Sequence, residues 1–415
     1  MTTAHTDPAD TRAASLRVLT GDERARVELS EALRGLGAGE VRFGRHDRML
    51  YATDASIFQV EPIGVVVLRG VDAVPGVMRL CAERGLPVLP RGGGTSLAGQ
   101  CVNLAVMLDF GAHCRGVIDI NETAMTATVE PGVTLDQLNA ALAPRGLFFG
   151  PDVATSSHAT LGGMIGNNSA GARSIVYGRT VENLVALDVV LPDGTSARLE
   201  EGSCERDPRQ RAMVARLADI VLPLREEIRR RVPRIRRHVD GYNVDLLLDQ
   251  LERCTPGTFD KVNLATLVCG SEGTLAVVVR ATLRIVRKPA CTGLAILGFD
   301  SVPAALAPLG AMLACGPSAV ELVDDVVIDT ALANTEYRRY VEVLPQPASG
   351  RLGAVMYVEF QAESMEAVRA GFDRLRAALP DAPMQRHEDP RTLANAWKLR
   401  KAGEPLLHGV PGDRK

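Results

Sequence analysis

The chain has 415 residues, of which 46% are hydrophobic, and its formal net charge at pH 7 is −3. This length exceeds that of one ordinary domain and the apolar fraction suffices for real cores, so two or three domains are predicted. The net charge favours no particular partner. No apolar run approaches the roughly 18 residues that a membrane span needs, which limits any membrane contact to a peripheral one.

Eight cysteines are scattered along the chain without a C-x-x-C pair, and no apolar secretory segment precedes them. We expect reduced thiols in a cytoplasmic protein, with peripheral contact at the inner face of the membrane as the alternative location. No metal or iron–sulfur site is predicted within this stretch of chain.

The first part of the chain alternates helical and strand patterns. Residues 1–40 begin with a polar stretch and continue with apolar residues at helical spacing. Strands are predicted over 61–68 and 86–89, with a helix over 71–85 between them. The carboxyl ends of the strands in such a βαβ unit lie at the edge where α/β proteins usually bind ligands.

Three consecutive glycines follow the second of these strands, in Val88-Leu-Pro-Arg-Gly-Gly-Gly-Thr-Ser-Leu-Ala-Gly-Gln100. Successive backbone N–H groups of such a turn can point to one place, and Arg91, Thr95 and Ser96 add a charge and two hydroxyls at its rim. No Lys follows the glycines and no long helix begins there, so the spacing fits neither a P-loop nor a Rossmann turn. We predict an anion-binding turn between two strands, with a tight surface turn as the alternative.

The next part of the chain ends in a segment with little periodicity. Strands over 116–120 and 126–130 and a helix over 135–144 precede residues 148–179, which are mostly small and hydrogen-bonding types. A stretch of this length inside one domain is typical of a ligand-binding surface. A flexible linker is the alternative, although linkers seldom contain so many large apolar side chains.

Residues 206–237 contain eleven arginines on helices that two prolines interrupt. Acidic residues alternate with them and no aromatic residue is present for base stacking, so a solvated face is predicted rather than a nucleic-acid-binding arm. A strand pair is predicted over 263–280, hinged at Gly270 and Gly273. Strands and helices then alternate in a separate α+β layer, which places a domain boundary near residue 288.

Four ordered motifs carry a resemblance to a known family. They are Pro90-Arg-Gly-Gly-Gly-Thr-Ser96, Thr160-Leu-Gly-Gly-Met-Ile-Gly-Asn-Asn-Ser-Ala-Gly171, Tyr177-Gly178 and Gly270-Ser-Glu-Gly-Thr-Leu275. Together they resemble the FAD-binding module of the flavin-linked oxidases, the fold of vanillyl-alcohol oxidase and p-cresol methylhydroxylase. With Trp397-Lys-Leu-Arg400, the chain is similar to the branch that oxidises D-2-hydroxy acids, which includes cytochrome-linked D-lactate dehydrogenases and D-2-hydroxyglutarate dehydrogenases.

The resemblance covers about residues 40–415 and implies an α+β fold. An N-terminal helical segment over 1–40 would precede a p-cresol methylhydroxylase-type FAD-binding domain over 41–288, with subdomains over about 41–115 and 116–288. Residues 289–415 would form the first part of an α+β substrate (cap) domain. Relatives of this branch continue with a half-domain that binds a divalent metal, and some add an iron–sulfur module. We therefore expect a fragment of a longer protein, with both groups confined to the missing part.

The resemblance also implies which residues hold FAD. The pyrophosphate would be bound by Arg91, Gly92, Gly93, Gly94, Thr95, Ser96 and Gln100. The flavin and adenosine portion would be lined by Pro151, Asp152, Thr155, Ser156, Gly162, Gly163, Gly166, Asn167, Ser169, Gly171 and Tyr177, and the adenine side would be closed by Glu272, Gly273 and Val277. FAD is expected to bind without a covalent link, because Thr95 stands where flavinylated relatives place the attaching His.

The reaction that the resemblance implies is the oxidation of a D-2-hydroxy acid to the 2-oxo acid, with D-lactate favoured. A hydride would pass from the substrate α-carbon to flavin N5 while a base takes the hydroxyl proton, and the electrons would continue to a cytochrome, quinone or iron–sulfur acceptor. D-2-hydroxyglutarate, another alcohol or a sugar acid are the alternative substrates, since a fold does not determine a function. No nucleic-acid partner is expected.

Arg400 is predicted to bind the substrate carboxylate. It shares a helical face with Trp397, and a guanidinium can donate two parallel hydrogen bonds to a carboxylate. Lys415 is expected to help at the same carboxylate. The alternative for Arg400 is a surface ion pair with Glu404, one helical turn further along.

Overall fold

A computed structural model of the chain describes residue 18, residues 21–346 and residues 351–408. The described residues divide into two compact units. The first unit extends to Ala170 and continues from Gly178 to Val286. The second unit consists of Gly171–Tyr177 and the described residues from Arg287 onward.

The first unit begins with a four-stranded sheet and its helices. These elements are α1 (Glu23–Gly35), β1 (Gly39–Arg42), α2 (Arg45–Leu50), β2 (Gly64–Leu68), α3 (Val74–Glu83), β3 (Val88–Arg91) and β4 (Val106–Asp109). The strand order is β1-β2-β4-β3, with β1 antiparallel to β2 and with β4 parallel to both β2 and β3. The predicted parallel arrangement of β2 and β3 is confirmed, although β4 lies between them. The glycine turn therefore leaves the carboxyl end of an edge strand.

The rest of the first unit is built around a five-stranded antiparallel sheet. The next elements along the chain are β5 (Val117–Asn121), β6 (Thr126–Val129), α4 (Leu135–Leu142), β7 (Leu147–Phe148), α5 (Leu161–Asn167), α6 (Ser174–Tyr177, in the second unit), β8 (Leu184–Val190), β9 (Ser196–Glu200), α7 (Ser203–Arg206), α8 (Pro208–Val221), α9 (Arg225–Arg231), α10 (Val244–Arg253), α11 (Ala265–Val268), β10 (Val277–Arg284) and β11 (Val286–Arg287). The sheet order is β5-β6-β10-β8-β9, and β7 pairs with β11. The last long strand, β10, thus occupies the centre of the sheet, so the loop that precedes it must return to the middle of the unit.

Two secondary-structure predictions for this unit are wrong. Residues 265–268 form the helix α11 instead of a strand, and just before it the Asn263 side chain accepts a hydrogen bond from the N–H of Ala265. The segment 148–179 contains the helix α5, which begins at Leu161 after the N-cap residue Thr160. Leu161, Met164 and Ile165 are apolar at helical spacing, but the helix has only seven residues and three of them are glycines, so the pattern was too short to be recognised.

The second unit contains one sheet covered by helices on both faces. Its remaining elements are β12 (Cys291–Phe299), α12 (Val302–Leu306), α13 (Leu309–Ala314), β13 (Ala319–Asp324), α14 (Asp325–Ala333), β14 (Ala354–Ala362), α15 (Met365–Ala378), β15 (Met384–His387) and α16 (Pro390–His408). The antiparallel order is β13-β14-β12-β15. Leu294 and Ile296 face the core formed with α14 and α16, whereas Ala295 and Leu297 face the core formed with α12, α13 and α15. This alternation explains why β12 is apolar along most of its length.

Short 3-10 helices connect several of these elements. They span Val71–Ala73, Ala143–Arg145, Thr180–Asn183, Leu222–Leu224 and Arg338–Val343. Within the ranges that the structure describes, no helix combines the length and the apolar character that a bilayer crossing requires. All eight cysteines are free thiols.

Candidate functional site

A cavity of about 370 Å³ lies in the first unit, where the glycine-rich segments meet. Its volume falls in the range of small-molecule and cofactor sites. The wall is formed by the turn after β3, by the segment that leads into α5, by α5 itself and by the turn that precedes β10. Three parts of the chain that are distant in sequence therefore converge at one place.

The glycine turn after β3 depends on the absence of side chains. A Cβ atom on Gly93 would lie 2.1 Å from the carbonyl oxygen of His158. Gly94 adopts a φ of +65°, in the left-handed region that residues with a Cβ rarely occupy. The backbone of the turn thus packs directly against the segment that leads into α5, with Thr95 and Ser96 also on the cavity wall.

Arg91 holds this turn in shape. Its guanidinium donates to the carbonyl oxygens of Tyr51 (3.2 Å), Cys101 (2.9 Å) and Thr53 (2.7 Å), and it lies 5.6 Å from the centroid of the Tyr51 ring. These bonds use three of the five N–H donors of an arginine. Backbone amides and the hydroxyls of Thr95 and Ser96 are therefore the main groups that this turn offers to an anion.

The structure brings most of the sequence-predicted FAD residues to this cavity. Those on its wall are Arg91, Gly92, Gly93, Gly94, Thr95, Ser96, Gln100, Thr155, Gly162, Gly163, Gly166, Asn167, Ser169, Glu272 and Gly273. The predicted residues that do not line it are Pro151, Asp152, Ser156, Gly171, Tyr177 and Val277.

The reasons for these differences are local. Val277 begins β10, and its side chain packs in the apolar core beside the first sheet. Gly171 and Tyr177 belong to the second unit, where the Tyr177 hydroxyl donates to Oε1 of Gln361 at 2.8 Å. Pro151 is buried, and Asp152 and Ser156 are half-buried in the loop before α5.

The sequence-based prediction also missed residues of the cavity wall. Arg237 lines the cavity and donates to the carbonyl oxygen of Ala170 at 3.1 Å, although its segment was interpreted as a solvated face. Arg237 is itself exposed, like Arg230 and Arg231, which pair with Glu227 at the surface. Composition does not distinguish Arg237 from them. Ser271 was also missed, although it lies within the quoted motif Gly270–Leu275.

Two polar atoms of this wall are buried without a hydrogen-bond partner in the described part of the chain. They are Oε1 of Gln100 and Oγ of Ser271. Buried polar atoms are nearly always satisfied, because an unpaired one loses its bonds to water without replacement. Two unpaired atoms on the wall of one cavity therefore indicate a ligand that supplies polar groups there.

Glu272 has an unusual conformation beside these atoms. Its φ is 51°, in the left-handed region, and its backbone N–H donates to the carbonyl oxygen of Gly166 at 3.0 Å. Such a conformation costs of order 1 kcal/mol in a residue with a Cβ and is found most often at functional sites. Burial raises the pKa of the Glu272 carboxyl to about 7, against a small opposing effect of the Gln100 amide.

These features fit FAD. The turn after β3 offers backbone amides and hydroxyls suited to a pyrophosphate, and the unpaired atoms of Gln100 and Ser271 are suited to a heterocycle with its own donors and acceptors. Among the described residues, no group of three or more His, Cys, Asp or Glu side chains is placed to hold a metal ion.

Arg400 and Trp397 lie in the second unit, on α16. Nε and Nη2 of Arg400 donate to Oε2 of Glu321 on β13, at 2.8 Å and 2.5 Å. The side chain of Glu404, the partner considered from the sequence, lies outside the described part of the chain. Arg400 also lines an open pocket with Asp324 of the same unit. Lys415 lies outside the described residues.

A second arginine of this unit forms a buried ion pair. Nε and Nη2 of Arg173 each donate to the Glu359 carboxylate at 2.7 Å, and the hydroxyl of Ser318 adds a third bond at 2.9 Å. The Glu359 side chain has no exposed surface, and the guanidinium of Arg173 lies 5.2 Å from the Trp397 ring centroid. The segment Gly171–Tyr177 is thereby attached to the sheet of the second unit.

Comparisons with known proteins agree with this geometry. Residues 62–200 match the model of a family described as FAD binding domain. The chain is 31% identical to a D-2-hydroxyglutarate dehydrogenase of Pseudomonas putida over 93% of its own length and 39% of that protein. It is 28% identical to a probable mitochondrial D-lactate dehydrogenase of Danio rerio, over 93% of this chain and 63% of that one.

The fold is also found in a solved structure. An alkyldihydroxyacetonephosphate synthase superposes with a TM-score of 0.62 at 16% identity, covering 91% of this chain and 65% of the synthase. This likeness shows the fold alone. The chain spans about two fifths of the length of the D-2-hydroxyglutarate dehydrogenase that it matches.

Proposed function

We propose that this chain, which carries an FAD-binding domain of the p-cresol methylhydroxylase type, takes part in the FAD-dependent oxidation of a D-2-hydroxy acid. The observation that carries the proposal is the cavity with its glycine turn and two unpaired buried polar atoms. Relatives named for dehydrogenation of D-2-hydroxy acids match this chain across both of its units, which supports the same substrate class.

FAD, when bound, supplies the acceptor for a hydride from the substrate α-carbon. The role of this chain is to bind that cofactor, through the backbone amides of Gly92–Gly94 and the hydroxyls of Thr95 and Ser96. In the second unit, Arg400 presents a planar guanidinium on α16 that is suited to a carboxylate. Its bond to Glu321 orients the guanidinium before a substrate arrives.

Two acids are candidates for the substrate. D-lactate is the one that the sequence motifs favour, and a relative named as a probable D-lactate dehydrogenase supports it. Relatives named D-2-hydroxyglutarate dehydrogenase, at 29–31% identity, support D-2-hydroxyglutarate. The two acids differ in a second carboxylate, which would need a second cation or a hydrogen-bonding group. The electron acceptor that we propose is a cytochrome, a quinone or an iron–sulfur module.

Anaerobic reduction tests this function directly. The FAD-loaded full-length protein is mixed with D-lactate, with D-2-hydroxyglutarate or with L-lactate as the control, and the visible flavin absorbance is followed. We expect one of the D-acids to bleach the flavin and L-lactate to leave it unchanged. Bleaching by L-lactate at the same rate, or by neither D-acid, would contradict the proposed substrate class.

The same preparation tests the mode of attachment. Because Thr95 cannot form a bond to the 8α carbon of the flavin, acid precipitation should release the yellow FAD into the supernatant. Flavin that remains in the protein pellet would contradict non-covalent binding.

A further inference from the structure

Gln100 and Glu272 form a pair on the cavity wall that leaves hydrogen-bonding capacity unused. Nε2 of Gln100 donates to Oε1 of Glu272 at 3.4 Å, across 172 positions of the sequence. Oε1 of the same Gln100 is buried and has no partner among the described residues. One amide thus has its nitrogen directed to a carboxyl, while its oxygen is still available as an acceptor.

The backbone of Glu272 is held in a defined turn, which determines where its carboxyl can lie. The left-handed φ of 51° and the bond from its N–H to the carbonyl oxygen of Gly166 fix the turn. A Cβ on Gly166 would lie 4.0 Å from Oε2 of Glu272, so this carboxyl lies over the glycine face of α5. Ser271, the residue before it, adds a hydroxyl that is also buried without a partner in the described chain.

The groups around Glu272 do not neutralise a negative charge on it. The cations on the cavity wall are Arg91, whose guanidinium bonds to three carbonyl oxygens, and Arg237, which donates to the carbonyl oxygen of Ala170. The thiols of Cys269, beside Glu272, and of Cys101, on the cavity wall, have pKa values that burial raises, and they add no positive charge. Burial is the main influence on the Glu272 carboxyl, and it raises that pKa to about 7.

We propose that Gln100 and Glu272 together bind a heterocyclic edge of FAD, and that Glu272 carries a proton in the complex. A protonated carboxyl donates one hydrogen bond to the ligand, while Oε1 of Gln100 accepts another. An edge with a donor next to an acceptor occurs in both the pyrimidine ring of the flavin and the adenine ring. The inference depends on the proposed function only through the identity of the cofactor.

The proposal is tested by FAD binding without any substrate, so its failure is distinct from a failure of the proposed oxidation. The dissociation constant of FAD is measured by the quenching of flavin fluorescence between about pH 6 and pH 9, where free carboxyls do not titrate. For the wild type we expect the dissociation constant to rise about tenfold per pH unit above about 7, the slope of one linked proton.

Two variants isolate the carboxyl. In Glu272→Gln a neutral amide replaces the acid, so the dissociation constant should become independent of pH and stay near the low-pH value of the wild type. Glu366→Gln, which removes an exposed carboxylate of α15, is the matched control and should keep the wild-type pH profile. A pH-independent wild type, or an unchanged pH profile in Glu272→Gln, would overturn the proposal.

Two cofactor fragments distinguish the sources of the heterocyclic edge. A pH profile that appears with ADP and disappears in Glu272→Gln assigns the pair to adenine, and the same result with FMN assigns it to the flavin. If neither fragment shows a dependence on Glu272, the proposed contact is wrong.

A measurement on the wild type alone covers the case in which Glu272→Gln does not fold. Calorimetric titration with FAD at about pH 8, in two buffers of different ionisation enthalpy, reports the protons taken up on binding. Uptake approaching one proton supports the proposal, and an uptake of zero overturns it.

Discussion

The cavity of the first unit and the Arg173–Glu359 pair of the second unit differ in whether their buried polar atoms have hydrogen-bond partners. The cavity leaves Oε1 of Gln100 and Oγ of Ser271 without partners, and its shape depends on glycines. The carboxylate of the pair has hydrogen-bond partners within the fold, because the fully buried Glu359 accepts two bonds from Arg173 and one from Ser318. Satisfied buried groups stabilise a fold, whereas the two unsatisfied groups of the cavity are placed where a ligand could supply their partners. The difference separates a structural site from a binding site within one chain.

The largest expected effect on stability comes from breaking the buried ion pair of Arg173 and Glu359. Arg173→Met leaves the Glu359 carboxylate buried with one hydroxyl, and the loss of one partner of a buried pair costs about 3–5 kcal/mol. Urea unfolding, followed by far-UV circular dichroism, measures the change in the free energy of unfolding.

Arg351→Met is the control for this prediction. Arg351 is 70% exposed and pairs with Asp325 and Asp329 at the surface, so its loss should cost less than about 1 kcal/mol. Equal destabilisation by the two substitutions would show that burial of Glu359 is not the cause.

The second effect concerns the more exposed pair of the second unit, Arg400 with Glu321. Arg400→Lys keeps the charge but loses the planar fork, and we expect binding of the 2-hydroxy acid to weaken by about 1.5–3 kcal/mol with FAD content unchanged. Steady-state kinetics on the full-length protein give the change, and Arg369→Lys, on the exposed face of α15, is the control. An unaltered KM and kcat would remove Arg400 from the site, and loss of FAD would assign it a structural role.

A third prediction tests whether the cavity depends on its glycines. Gly93→Ala places a Cβ 2.1 Å from the carbonyl oxygen of His158, and overpacking of this kind costs about 1–3 kcal/mol. The FAD dissociation constant should rise and the melting temperature should fall. Gly76→Ala, within α3 and 3.8 Å from the nearest Leu36 atom, should leave FAD binding unchanged and stabilise slightly. Tight FAD binding by Gly93→Ala would show that the turn can move without loss of function.

The last effect is the pH dependence of stability without FAD, which is spread over more than two pH units. Because folding raises the pKa of Glu272 from 4.5 to about 7, its contribution is fully present below pH 4.5 and is lost as the pH rises through about 7. The melting temperature of the wild type should therefore fall relative to Glu272→Gln over this interval. A constant difference between the two proteins would place the pKa of this carboxyl near its ordinary value.

Much of this organisation was predictable from local patterns. The turn Arg91–Ser96 was recognised because consecutive glycines after a strand are uncommon, and the structure places this turn on the cavity wall. The helix α5 was missed because three of its seven residues are glycines, which disfavour a helix, although Leu161, Met164 and Ile165 form a short buried stripe. Tyr177 was assigned to the cofactor by resemblance, whereas its hydroxyl bonds to Gln361 in the second unit.

The sequence by itself determined the elements with strong local signals, which are the buried strand β2, the parallel unit around it and the glycine motifs. Only the tertiary structure decided that β10 lies at the centre of the second sheet and that its preceding turn brings Glu272 to Gln100. It also decided that Arg237 lines the cavity while Arg230 and Arg231 pair with Glu227 at the surface. The reason is physical: backbone conformation depends on near neighbours, whereas burial, partners and pKa depend on residues that are distant in sequence.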